Sequence, residues 1–203
     1  MDTQTLTFAA SPFVPVAIGF FGLGTGYFIW GGQALFGFPK ANPEVNKTMG
    51  MWGFWMPGFM QFITGVYLFA GLTLFGTFRT PALYMAALAF VAYGVHWFAI
   101  GWNRSREGDP RVMVGVTVAY FLLSILGIIV FFHAGDHPVG GVFIGLTGVY
   151  AADFFAVLSP DLPTIGRWAE RATGIFRLGT GFWLIYLTFA VALNFILNYG
   201  LPL

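Results

Sequence analysis

Charge in this chain falls in short clusters, and the runs between them are long and free of Asp, Glu, Lys and Arg: 48–78, 80–103, 112–135 and 178–203. Each run is enough for about 20 helical residues, the length that crosses roughly 30 Å of hydrocarbon. A backbone placed there must satisfy its own N–H and C=O groups, which leaves helices or a closed barrel. Runs of this length predict an all-α integral membrane bundle. Composition agrees: 58% hydrophobic residues against 8% charged, far below the charge content of soluble domains.

Six transmembrane helices are expected at about 14–36, 52–75, 81–102, 112–132, 139–158 and 174–199, within one transmembrane domain spanning 1–203. The connections carry turn chemistry: Pro39, Asn42 and Pro43 in the first, Gly108-Asp109-Pro110 in the third, Ser159-Pro160 and Pro163 in the fifth. Thr164–Thr173 reads as a short interfacial helix, with Trp168 at headgroup level and Arg167, Glu170 and Arg171 facing water. Met1–Ala10 is polar and carries Asp2, unlike the basic start of a secretory signal. Lys40 and Lys47, then Arg104, Arg106 and Arg111, then Arg167, Arg171 and Arg177 cluster around loops one, three and five, whereas Arg79 stands alone on the other side. The positive-inside rule therefore puts both termini outside the cytoplasm, in a cytoplasmic-type inner membrane.

The net charge of +1 provides no basic field for nucleic acid, and the absence of cysteine excludes disulfides and thiol chemistry. Lys47-Thr48 follows Asn46 rather than glycine, so there is no phosphate-wrapping loop, and no metal-ligand spacing or nucleophile elbow occurs. No enzyme activity, cofactor or metal is expected. Glycine is abundant, and the Gly22–Gly26 and Gly141–Gly145 spacings suit close helix approach in lipid. Leu23-Gly24-Thr25-Gly26-Tyr27 echoes Leu178-Gly179-Thr180-Gly181-Phe182; the two helices run in opposite directions, so the echo is read as shared packing chemistry.

Ionisable groups inside a membrane are costly and mark function by default. His96, Asp153 and Arg177 fall at similar depth. An Asp153–Arg177 ion pair would ease the burial of both, and a neutral His96 could join by hydrogen bond. The trio is read either as a pin between the last two helices or as a proton-coupling or gating site. No basic residue is expected deep enough to stabilise a bare carboxylate.

Gly53-Phe54-Trp55-Met56-Pro57-Gly58-Phe59-Met60-Gln61-Phe62-Ile63-Thr64-Gly65 and Ala89-Phe90-Val91-Ala92-Tyr93-Gly94-Val95-His96-Trp97 resemble the second and third helices of the acetate uptake transporter (succinate–acetate permease) family. Pro15 with Phe21-Gly22 is a looser match, the family's Asn-Pro-Ala-Pro-Leu-Gly signature being reduced to Ser11-Pro12-Phe13-Val14-Pro15-Val16. The resemblance implies a six-helix protomer with its own pathway, a homohexameric ring, and a hydrophobic constriction at Phe21 and Tyr93, with a third member near Tyr120 or Leu122 and Gln61 beside the route. It implies a channel or proton-coupled secondary transporter for a small monocarboxylate such as acetate, with membrane lipid and the solute as partners. Pro39-Lys40-Ala41-Asn42-Pro43 and Leu162-Pro163-Thr164-Ile165-Gly166-Arg167-Trp168 are similar instead to the amide and proton-gated urea channel family, whose substrates are neutral amides. A non-transporting structural subunit of a larger complex is the third reading.

Overall fold

The computed structural model describes residues 13–158 and 161–202; Met1–Ala10, Ser11-Pro12, Ser159-Pro160 and Leu203 lie outside the described residues. Among those described, the chain is six helices and no strand: α1 (Phe13–Phe36), α2 (Pro43–Leu74), α3 (Pro81–Ser105), α4 (Val114–His133), α5 (His137–Ala156) and α6 (Pro163–Leu197). All but α1 are long and apolar enough, over their described residues, to cross a bilayer, a 3-10 turn at Pro110–Met113 leading into α4. Helix α1 is 24 residues long, without a charged side chain.

The boundaries follow from local chemistry. Proline occupies the first turn of α2, α3, α5 and α6, where its missing N–H leaves no helical bond unmade. Asn42 caps α2 by accepting from Val45 N at 2.9 Å, and Asp136 caps α5 by accepting from Val139 N at 3.1 Å. Gly37 ends α1 at φ +66°, a left-handed conformation that costs glycine nothing, its N–H returning to Gln33 O at 2.8 Å.

Two boundaries correct the sequence reading. The segment 164–173 is not a separate interfacial helix; it forms the first turns of the 35-residue α6. Charge at Arg167, Glu170 and Arg171 marks where the helix leaves the apolar layer, and no proline interrupts it after Pro163. Likewise α2 begins at Pro43 rather than near 52, its polar first turns lying before the apolar span. Within α2, Phe54–Phe59 and Ala70–Leu74 are wound as π-helix. The wider turn accommodates Pro57, which cannot donate a backbone bond.

Neighbouring helices run antiparallel and close a ring in chain order, with α6 returning to α1. Glycines set the closest approaches. A Cβ on Gly26 would stand 2.6 Å from Pro57 Cγ, and one on Gly145 would stand 2.1 Å from Thr180 Oγ1. The Gly22–Gly26 and Gly141–Gly145 spacings differ in use: Gly22 and Gly26 both abut α2, whereas Gly141 has room and only Gly145 is tight. The echoed motifs meet each other. Gly24 faces the Gly181 carbonyl and Gly31 faces that of Gly174, each at 3.3 Å from a notional Cβ. One seven-residue glycine spacing on α1 thus reads another on α6 in reverse, letting the backbones touch.

Candidate functional site

All six helices contribute to one cavity of about 360 Å³. Its walls include Val16, Phe20 and Leu23 on α1, Phe90 on α3, Val142 and Leu146 on α5, and Leu184 and Leu187 on α6. The polar lining is sparse and graded along the helices. Thr80 and Asp136 sit at the end where α3 and α5 begin, and Gln61 and Tyr93 lie near mid-helix. We call the Thr80–Asp136 side the cavity end and the opposite side the arginine end.

Asp136 is held by the α5 N-terminus, where its carboxylate accepts the Val139 N–H. Burial raises its pKa above the ordinary carboxylate range, opposed by that hydrogen bond and by nearby His137. A carboxyl that protonates readily therefore stands at the rim.

Tyr93 forms the cavity floor and is fixed from below. Its hydroxyl lies 2.9 Å from Ser124 Oγ, and Ser124 gives its own hydrogen to Tyr120 O at 2.7 Å, which leaves Tyr93 as the donor. Tyr120 in turn donates to Ala92 O at 2.6 Å. Tyr93, Tyr120 and Tyr150 stack with ring centroids 5.2–5.9 Å apart, and His96 packs on Tyr120 at 4.5 Å. Gln61 is buried and donates to the Pro57 carbonyl at 3.0 Å, placing the amide at the π-wound turn of α2.

Beyond this floor the core is aromatic and cationic. Trp97 packs on Tyr27 at 6.0 Å and edge-on to Trp30 at 5.0 Å. The Asp153–Arg177 pair forms at 3.1 Å with side chains 19% and 12% exposed, joining α5 to α6. Arg104 reaches back from the last turn of α3 to lie over the Trp30 ring at 4.6 Å, and Arg177 lies 5.8 Å from the same ring.

Of the residues singled out by sequence, Gln61 and Tyr93 lie together at the cavity floor, and Tyr120 supports Tyr93 from outside the lining. Phe21 and Leu122 are not brought to it: they are 42% and 59% exposed on the bundle surface. Phe20, one residue and about 100° around α1, takes the lining position, with Leu146 on α5 opposite. His96 sits at the depth of the ion pair but does not join it through Nδ1, which is buried without a hydrogen-bond partner. Arg104, assigned by sequence to a loop, instead ends α3 and lies over the Trp30 ring within a partly buried bond network. Sequence reasoning missed Phe20, Leu146 and Arg104; only the i, i+3 spacing of Phe20 and Leu23 on α1 signals a shared inner face.

A six-helix membrane bundle enclosing an apolar cavity is the class these features define. A search of protein-family models gives no match, and no curated protein matches the chain. The chain is similar to a solved structure described as "Structure of the bacterial acetate channel SatP", at TM-score 0.74 and 15% identity, over 96% of this chain and 99% of that one. The fold is therefore that of a helical membrane channel.

Proposed function

We propose that this protein carries a small monocarboxylate such as acetate across a membrane, through the core of the single protomer. The observation that carries the reading is the 360 Å³ cavity that extends from Thr80 and Asp136 to a floor at Gln61 and Tyr93. Its size suits a solute of a few heavy atoms, and its apolar walls offer nothing to replace the hydration of a bare carboxylate. The solute crosses the Phe20–Tyr93–Leu146 layer as the neutral acid, with Gln61 as the hydrogen-bonding group beside that step. The likeness in fold to a bacterial acetate channel supports the same solute class.

In this reading the termini face outward, the arginine end faces the cytoplasm of a cytoplasmic-type membrane, and protomers assemble as a homohexamer. The charge asymmetry supports the orientation: Lys40, Lys47, Arg106 and Arg111 lie at the arginine end, and Arg79 stands alone at the other. Coupling to protons uses either the neutral acid itself or the His96–Asp153–Arg177 region; in Asp153→Asn, a changed pH dependence of the uptake that remains supports coupling, whereas equal loss of uptake and of folded protein supports a pin between α5 and α6.

Reconstitution into liposomes with labelled acetate and labelled urea at two pH values tests the proposal. Acetate uptake that quickens at the lower pH is the expected result. Urea uptake alone would transfer the protein to the amide-channel reading, and no flux of either would leave the structural-subunit reading.

A further inference from the structure

Around Trp30 two guanidinium groups, those of Arg104 and Arg177, share one carboxylate, that of Asp153. Arg177 donates one hydrogen bond to Asp153, and its Nε is buried with no partner. Among the described residues, the polar contacts of Arg104 include no carboxylate. Its Nη2 donates to the amide oxygens of Gln33 and, at 3.2 Å, of Asn46. Both guanidinium groups lie beside the same indole, Trp30, whose Nε1 is itself engaged with Met49 O at 3.1 Å. Guanidinium on an aromatic face is favourable, but the ring supplies no negative charge to neutralise two cations. In a site partly removed from water, a surplus positive charge is a standing cost that a small anion relieves.

We infer that Arg104 and Arg177, flanking Trp30 at the arginine end of the bundle, form a binding station for a small monovalent carboxylate. The replaceable partners are Gln33 and Asn46, neutral amides whose bonds to Arg104 carry charge on the donor alone, where a carboxylate would add the opposite charge. Asp153 stays on Arg177 and limits the capacity to a single charge. The inference rests on the proposed transport of a monocarboxylate and deepens it: a solute that passes the Tyr93 floor as the neutral acid emerges toward a pair of cations that favour its ionised form, which gives the route a second site of opposite chemistry to the first.

The test is binding to the purified full-length protein at neutral pH, followed as the rise in unfolding midpoint when sodium acetate replaces sodium gluconate at fixed ionic strength. Acetate should raise the midpoint of the unsubstituted chain. Arg104→Gln should weaken that binding at least tenfold, and Arg104→Lys should restore part of it. Because Arg104→Gln also removes a tie between α3, α1 and α2, Asn46→Asp provides the check that does not depend on a weakened fold. It gives Arg104 a resident carboxylate, so it should raise the midpoint without acetate and abolish the acetate response. Undiminished acetate binding in either Arg104→Gln or Asn46→Asp, no acetate response in the unsubstituted chain, or an equal response to chloride would overturn the carboxylate station. Liposome flux separates this inference from the transport proposal: Arg104-dependent binding without acetate flux sinks only the latter, and flux without Arg104-dependent binding sinks only the former.

Discussion

The two ends of the bundle solve the same problem in opposite ways. At the cavity end, six helices hold apolar walls apart around about 360 Å³, and polar groups appear only at the rim and floor. At the arginine end the same helices are drawn together: a notional Cβ on Gly50 would lie 2.4 Å from the Gly101 carbonyl, and the centre is filled by Trp30, Trp97 and the Asp153–Arg177 pair. The difference lies in which residues face inward. Bulky walls with nothing between them leave a cavity, whereas glycine contacts and indole rings draw the other end together. Structural cost should therefore concentrate at the arginine end and solute discrimination at the cavity end.

The largest effect expected is from Asp153→Asn. Leaving Arg177 partly buried without its carboxylate should cost about 3–5 kcal/mol of stability, measured as loss of unfolding midpoint in detergent, and the Asp153→Asn/Arg177→Gln double variant should recover part of it. A midpoint unchanged in the single variant would erase the contrast between the ends. Next comes Gly101→Ala, whose methyl would meet Gly50 O at 2.6 Å; overpacking of this kind costs about 1–3 kcal/mol. Thermal unfolding of the same chain carrying Gly32→Ala, where nothing lies within 4 Å, is the matched control and should barely shift.

Tyr93→Phe sharpens the comparison at the boundary. It removes the donor to Ser124 and should cost about 1 kcal/mol, while loosening the floor enough to raise acetate flux in liposomes. The smallest effect concerns Asp136. Its folded pKa is raised by burial, so the protonated form is the one the fold favours: stability is greatest below the ordinary carboxylate range and declines as pH rises through the raised value. Asp136→Asn, which can still cap α5, should flatten that decline in a pH series of unfolding midpoints.

Much of this architecture was legible in residue order. Prolines at the starts of α2, α3, α5 and α6 and long runs with little charge make the helical bundle legible. Hydropathy reports where lipid begins, though, and not where hydrogen bonding stops, so the charged first turns of α6 and the polar ones of α2 read as separate or non-helical. The cavity was less legible for a related reason. Helix α4 is apolar but for an uncharged stripe of Thr117, Tyr120 and Ser124, so Leu122 is not marked as outward by any charge near it, and a one-residue slip on α1 exchanges exposed Phe21 for lining Phe20. Arg104 was hidden because a long side chain at a helix end can fold its stem back over an aromatic ring while its position reads as loop. Contact between the neighbouring helices α5 and α6 at Asp153 and Arg177 was legible because charge in lipid has few partners.

The central claim is that the solute passes through the cavity of each protomer. Ala86 lines that cavity and is buried, so Ala86→Phe fills the route from inside without touching either the Tyr93 hydrogen bonds or the arginine cluster. Labelled acetate uptake into liposomes should fall at least tenfold in this variant while its unfolding midpoint stays near that of the unsubstituted protein. Uptake at the unsubstituted rate through a folded Ala86→Phe protein would contradict the account.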